Sequence, residues 1–208
     1  NREDNATIKA GEIPAAWQGE DAASVRKCAQ KDTDPRWAKK NQETHFGYKN
    51  HINADAKNKI IRDYDVTAAS VYDSNVFDTL RDHSEDENEE KHGVYADSAY
   101  RARAQEEHLA QHKIKSYINE KGTRAGPLNE TQKAQNRANS RTRSRVEHIF
   151  GAQAQMGGHI VGSIGAQRAF VKITMMNLAY NMKRFVFLCS QEILKAMKND
   201  GKDAPAAA

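Results

Sequence analysis

Two carboxylates, Asp97 and Glu147, stand in sequence contexts that suit a site for a divalent metal ion. Asp97 ends a short run of small and apolar residues that begins at Gly93. Such a run predicts a short buried strand, because β-branched and aromatic residues pack well on a pleated surface. Ligands collect beyond the carboxyl ends of strands in open α/β sheets, so Asp97 is a candidate site residue. The alternative role for Asp97 is to cap a helix that we predict to begin near Ala99.

Glu147 lies on a predicted long helix, at the point where a basic stripe meets an apolar patch. Like charges four residues apart cost roughly 0.2–0.5 kcal/mol per pair on an isolated helix, so an anionic partner such as DNA explains the stripe better than helix stability does. The alternative role for Glu147 is an ion pair with Arg143, four residues earlier. The stripe consists of Lys133, Arg137, Arg141 and Arg145, and Arg143 beside it is a further candidate DNA-binding residue.

Four segments of the sequence, in this order, resemble one known family. They are "HFGYKNHINADAKNKIIRDYDVTAASVYDS" from His45, "GVYADSAY" from Gly93, "RSRVEHIFGAQ" from Arg143 and "NLAYNMKRFV" from Asn177. Together they resemble the catalytic domain of bacterial insertion-sequence transposases of the DDE class, close to the insertion sequence five group. The resemblance runs from about Asn1 to Leu188.

The resemblance implies a ribonuclease-H-like fold in which three carboxylates hold two Mg²⁺ or Mn²⁺ ions and catalyse DNA cleavage and strand transfer. It makes Asp97 the second acid, Glu147 the third, and Arg143 the arginine that the family places four residues before its glutamate. The tyrosine and lysine that flank this motif in related groups are absent, since Ser140 and Ala154 stand at those positions. The partners that it implies are DNA, at the element ends and the target, and further copies of the same chain in an active oligomer.

The first acid of the family lies on a first strand, for which this sequence has no counterpart. Asp4 is a substitute by position, but Asn, Arg and Glu precede it and cannot form a buried strand. We therefore expect the chain to begin just after the first catalytic Asp. Two alternatives follow: a fragment that binds DNA without cutting it, such as a regulator or pseudogene product, or a remnant whose unpaired strand edges need a partner.

The elements that must position these acids are predicted from hydrophobic periodicity. An alternating segment at residues 45–54 and a second at 59–67 predict a hairpin, on which Lys49 faces either a DNA backbone or solvent. Asp73 is predicted to cap a short helix. The apolar stripe of the last helix, from Ala166, is typical of core or of a helix-pairing surface. The fold class is thus α/β: a ribonuclease-H-like mixed sheet of five strands, flanked by helices and lacking its first strand.

The domain organisation follows from composition. The 208 residues suffice for one ordinary globular domain with a hydrophobic core. Residues 1–44 are polar and turn-rich, and we predict an irregular excursion that contains a helical turn near residues 22–29. Residues 45–190 form the catalytic domain, and residues 191–208 a disordered tail.

Charge and cysteine content indicate the kind of partner and the cellular compartment that suit this protein. Lys and Arg number 32 against 28 Asp and Glu, a net charge of +4, and the bases cluster locally in a way that favours polyanions. The two cysteines carry no metal-binding spacing, which suits a reducing cytoplasm. With no apolar run of about 18 residues and no signal peptide, we expect no membrane span and a cytoplasmic, nucleoid-associated bacterial protein.

Overall fold

The structure is a computed structural model that describes residues 2–40, 42–81, 93–124, 126–158 and 161–200. Within these ranges the chain forms six α-helices and five strands. The helices are α1 (Arg2–Ala10), α2 (Ala22–Ala29), α3 (Phe77–Leu80), α4 (Arg103–Gln111), α5 (Glu130–Gln155) and α6 (Ala166–Asp200). The strands are β1 (Arg36–Lys40), β2 (Glu43–Ala54), β3 (Ile61–Ala68), β4 (Gly93–Val94) and β5 (Lys115–Ser116).

Strands β1, β2 and β3 form an antiparallel sheet with β2 in the middle. The β2–β3 hairpin confirms the predicted pairing of the two alternating segments, in a register from Tyr48 opposite Ala68 to Ala54 opposite Ile61. Its turn is closed by the carboxylate of Asp55, which accepts hydrogen bonds from the next backbone N–H groups, as Asp side chains commonly do in turns.

Strands β4 and β5 form a separate parallel sheet, with α4 as the crossover between them. The prediction of a single five-stranded sheet is therefore wrong for the described residues, although the class is α/β as predicted. The physical reason lies along one edge of β2. Strand β1 pairs with β2 only as far as Gly47, so residues 48–54 have β3 on one side and no described strand on the other.

Each sheet has a hydrophobic core of its own. Helices α3 and α4 cover the parallel sheet with a cluster that contains Phe77 and Leu109. Helices α5 and α6 cover the antiparallel sheet with a cluster of Ile61, Ile149 and Tyr180. Because Ile149 is completely buried, the second cluster determines how α5 lies against β3.

The "NLAYNMKRFV" motif docks α6 on the hairpin through polar side chains. Asn181 binds the backbone N–H and the carbonyl of Ile61, at 2.9 and 2.8 Å. One turn earlier Asn177, which is 2% exposed, exchanges hydrogen bonds with the side chain of Asn50 and accepts one from Gln153 on α5. Asn177 thus ties three elements, β2, α5 and α6, at one buried point.

The terminal segments are more regular than the sequence predicts. Residues 1–44 contain α1, the predicted α2, and β1, and the proposed boundary after residue 44 falls inside β2. Helix α6 continues to Asp200, so disorder is the wrong prediction for residues 191–200; these residues are mostly good helix formers. Residues 201–208 and the acidic loop at 82–92 lie outside the described residues. Among the helices that the structure describes, none has the length and apolarity that a bilayer crossing requires.

Candidate active site

A cavity of about 1840 Å³ lies between the two sheets. Its walls are β2 on one side, the segment from Gly93 to Asp97 on the other, and one face of α5. Asp97 and Glu147 both line it. The space therefore opens where β2 lacks a described neighbour, and the two predicted acids face it from different walls.

Asp97 lies three residues after the end of β4 and caps a 3₁₀ turn, Ser98–Tyr100. Its Oδ1 accepts a hydrogen bond from the backbone N–H of Ser98 at 2.7 Å, so Asp97 has the capping role that was its alternative prediction, here on a 3₁₀ turn. The other oxygen, Oδ2, lies 4.0 Å from the guanidinium of Arg143. Since the side chain is about half exposed, one carboxylate oxygen remains accessible from the cavity.

Glu147 is positioned by the long helix α5. A capping box between Asn129 and Gln132 starts the helix, and the Asn136 side chain pins it to the backbone of Glu120 beyond β5. About three turns further along, Glu147 Oε1 lies 3.2 Å from Arg143 Nη1, which is the ion pair of its predicted alternative role. Glu147 is 62% exposed, so this pair is accessible to solvent and ions.

Arg143 brings the two acids together. The same Nη1 atom lies 4.0 Å from Asp97 Oδ2 and 3.2 Å from Glu147 Oε1, so these oxygens are no farther apart than the sum of the two distances. Asp97 and Glu147 therefore approach the same guanidinium, while their joint role as metal ligands stays a prediction. Among the described residues, the buried Nε of Arg143 has no hydrogen-bond partner. The contacts of this guanidinium with the two acids are made by Nη1.

Lys49, Asp73 and His51 form a second polar group in the cavity, which the sequence does not predict. Lys49 Nζ binds Asp73 Oδ1 at 3.0 Å and the carbonyl of Val71 at 2.8 Å. Asp73 also lies 3.8 Å from the buried His51, whose other ring nitrogen is 2.9 Å from Thr67 Oγ1. Asp73 makes no capping bond, and that prediction is wrong, because Tyr72 precedes the turn and Asp73 turns toward Lys49 instead. The alternation of β2 places Lys49 and His51 on one face, but only the tertiary structure supplies their partner.

Ionisation in this part of the cavity follows from burial. Burial lowers the pKa of His51, and the nearby carboxylate of Asp73 opposes the shift. Burial, together with the negative charges of Asp73 and Asp97, raises the pKa of Tyr100 to about 12. His51 and Tyr100 are therefore neutral near pH 7. The charges of Asp73 and Asp97 both act on Tyr100, and that of Asp73 also acts on His51.

The basic stripe of α5 divides into two groups. Lys133 pairs with Glu130 at 2.8 Å, and Arg137 lies 4.0 Å from the same side chain. Arg141 is exposed, and Arg145 donates a hydrogen bond to the carbonyl of Ala56 in the β2–β3 turn. Residues four apart drift by about 40° around a helix, so one stripe reaches two different neighbours. The turn and the start of β3 add further basic side chains to the cavity wall, which were not predicted as site residues: Lys57, Lys59 and Arg62.

Comparisons with known proteins identify the family. The model of the transposase DDE domain matches residues 21–182, which is most of the chain. The chain belongs to this family. It is also 35% identical, over 121 residues, to the transposase for insertion sequence element IS1106 of Neisseria meningitidis serogroup B. That alignment covers 58% of this chain and 40% of the relative, so the chain spans less than half of the relative's length. No solved structure matches the chain.

DDE transposase domains generally depend on divalent metal ions, and the cavity of this one has suitable donors. Carboxylate oxygens are the ligands that Mg²⁺ prefers, and Asp97 Oδ2 and Glu147 Oε1 meet beside one cation. The donor set is incomplete, however, because the described residues contain no group of three His, Cys, Asp or Glu side chains that could hold a metal. Asp4 lies on α1 and is not among the described residues of the cavity wall.

Proposed function

We propose that this chain supplies two metal-binding carboxylates of a transposase that cleaves DNA and transfers the strand ends. The observation that carries the proposal is the meeting of Asp97 and Glu147 on one guanidinium at the cavity. Their positions after a strand and on a long helix are compatible with the ribonuclease-H-like fold that the family resemblance implies. With Mg²⁺ or Mn²⁺ bound, the metal would polarise phosphodiester oxygens and favour in-line displacement.

The side chains of the site have distinct roles in this proposal. Asp97 keeps Oδ1 on its own backbone turn, which fixes the carboxylate and leaves Oδ2 for an ion. Glu147 reaches the same space from α5. Arg143 offsets the repulsion between the two negative charges, which otherwise raises the cost of holding them together.

The basic side chains would position the DNA phosphates. Arg141 and Arg145 are exposed near the cavity, and Lys133 and Arg137 extend the charge along α5. Lys49 is only a third exposed and already binds Asp73, so its predicted DNA contact would require a change of partner. We therefore assign the backbone contacts chiefly to Arg141 and to Arg145, whose exposed guanidinium has further N–H donors besides the one bound to Ala56, with Arg143 inside the cavity.

A second candidate function is DNA binding without cleavage. The observation that favours it is that only two carboxylates converge beside Arg143 in the described part of the chain. A third carboxylate would complete the metal site in the proposed active form. We accordingly expect the 208-residue chain to bind DNA and to nick it poorly.

Salt dependence tests the DNA contacts. The logarithm of the binding constant should fall linearly with the logarithm of salt concentration, by about 0.9 per phosphate neutralised. Arg141→Gln and Arg145→Gln should each lower the slope by about one unit. Arg103→Gln is the matched control, since Arg103 is an exposed arginine of α4 that pairs with Glu107 and is not in the described cavity wall. Slopes that change equally for all three variants would contradict the assignment.

Cleavage and metal binding test the carboxylates. Manganese titration, followed by electron paramagnetic resonance, should show binding that weakens in Asp97→Asn and in Glu147→Gln but not in Glu107→Gln.

A protein extended upstream by a strand with an Asp should nick DNA in Mg²⁺, and Glu147→Gln should abolish nicking while DNA affinity is kept. Robust nicking by the 208-residue chain, lost on Asp4→Asn, would show that Asp4 is the first acid and overturn our reasoning.

A further inference from the structure

Helix α6 has two apolar faces, and only one of them is covered. The inner face packs on the β2–β3 hairpin and α5, where Ala169, Ile173 and Tyr180 are buried. The opposite side, which we call the outer face, carries large apolar side chains that are each 50–64% exposed. The outer face consists of Val171, Met175, Leu178, Met182, Phe185 and Ile193.

The spacing on the outer face is that of a helix-pairing seam. From Val171 to Phe185 the apolar residues follow at steps of four and three, which is the 3.5-residue repeat of paired helices. The exposed Cys189 and then Ile193 continue the line. A seam of this kind fits another helix better than it fits a loop or a flat sheet, because its side chains insert between those of a facing helix.

The area of the outer face suits a stable pair. An aromatic side chain covers about 150–250 Å² when fully buried and an aliphatic one less, so each side chain of the outer face, a little more than half exposed, offers on the order of 100 Å². The outer face with the adjoining Val186 thus presents on the order of 700 Å², close to the roughly 800 Å² that each partner contributes to a specific interface. A contiguous patch of this size on a single domain marks an interaction site.

We propose that the outer face of α6 binds the same face of a second copy of this chain, with the two helices antiparallel and Met182 at the two-fold axis. This register places Val171 level with Ile193, Met175 with Cys189 and Leu178 with Val186 of the second copy, so every level is apolar. The geometry is self-complementary, as a two-fold interface requires.

Charge selects the antiparallel arrangement over the parallel one. Arg168 and Lys172 lie toward the amino end of the outer face, whereas Glu192, which pairs with Lys195 at 3.5 Å, lies toward its carboxyl end. Antiparallel helices bring the basic end of one copy to the level of the Glu192–Lys195 ion pair of the other, which carries no net charge. Parallel helices would place the basic ends side by side, which is unfavourable for like charges.

The dimer surface and the proposed catalytic site are independent. None of the described residues of α6 contributes to the cavity wall that holds Asp97 and Glu147. The inference goes beyond the proposed function, because the family resemblance implies an oligomer but assigns no surface to it. A failure of the dimer would leave the cleavage tests unaffected, and the reverse also holds.

Sedimentation equilibrium of the 208-residue chain tests the interface. The wild type should associate to twice its mass of 23.3 kDa. Met182→Glu should raise the dissociation constant at least about 100-fold, because two charges would meet at the axis of a buried interface. Leu194→Glu is the control, an exposed apolar residue of α6 outside the outer face, and should leave the constant unchanged. Circular dichroism checks that each variant is folded. A wild type that stays monomeric up to its solubility limit, or an unchanged constant for a folded Met182→Glu, would overturn the proposal.

Disulfide trapping tests the orientation of the helices. In a Cys28→Ser background, Cys189 of two antiparallel copies lies far from the two-fold axis and should not cross-link. Adding Met175→Cys should give a covalent dimer through Cys189 of the second copy. Rapid cross-linking through Cys189 alone would show parallel helices and overturn the antiparallel arrangement. Absence of cross-linking in Met175→Cys would overturn the register.

Discussion

Replacing Asn177 by leucine should destabilise the protein strongly, although the two side chains are similar in size. Asn177 is 2% exposed and its Oδ1 accepts hydrogen bonds from Gln153 at 2.7 Å and from Asn50 at 2.8 Å. Leucine removes this acceptor and leaves the amide of Gln153, which is 3% exposed, without the partner that the structure provides. The same change removes a hydrogen-bonded link between α6 and α5, the helix that carries Glu147.

The magnitude follows from the groups left unpaired. A buried polar group that loses its partner costs about 1–3 kcal/mol, and the half-buried Asn50, which water can reach, loses about 1 kcal/mol. The expected loss is therefore about 2–4 kcal/mol in the free energy of unfolding. For a domain of this size each kcal/mol lowers the melting temperature by roughly 2–4 °C, so the melting temperature should fall by roughly 5–15 °C.

Urea denaturation and thermal melts measure this loss. Gln191→Leu is the control, since Gln191 is an exposed residue of the same helix, and it should change stability by less than about 0.5 kcal/mol. Gln153→Leu combined with Asn177→Leu should recover part of the loss, because replacing both partners leaves fewer unpaired groups. A loss below about 1 kcal/mol for Asn177→Leu, or no recovery in the double variant, would refute the role of this network.

Three further predictions concern burial and space. Burial lowers the pKa of His51, so the unfolded chain binds a proton at this residue more readily than the folded chain does. The free energy of unfolding should therefore fall as the pH drops below about 6.5. Thermal melts of His51→Gln should show a weaker loss of stability over this pH range than melts of the wild type. Ile149→Ala should cost about 2–5 kcal/mol in urea denaturation, because the side chain is fully buried; a cost under about 1 kcal/mol would mean that the second core does not hold α5. Gly93→Ala should destabilise the protein by about 1–3 kcal/mol, since the new Cβ would clash with the ring of Tyr117. Gly151→Ala within α5 should instead stabilise it by about 0.5–1 kcal/mol, because no atom lies within 4 Å of the new Cβ. Equal effects at both glycines in the same urea assay would contradict this reasoning.

The sequence by itself determined the family and the local elements that carry the two acids. Alternation predicted the β2–β3 hairpin, the short apolar run predicted the strand before Asp97, and the long polar and basic segment predicted the helix of Glu147. These elements depend on contacts between residues close in sequence, which periodicity and capping report directly. Both local alternatives, the cap at Asp97 and the Arg143 pair at Glu147, were visible for the same reason.

Only the tertiary structure decided what each face packs against. Periodicity shows that the side chains of a stripe share one side of a helix, but it cannot show whether that side is covered, and the outer face of α6 is exposed although its pattern also fits a core. The partner of Asp73, the meeting of Asp97 and Glu147 on Arg143, and the division of the strands into two sheets all join residues far apart in the chain. Such contacts depend on how whole elements pack together, and no spacing within one segment encodes them.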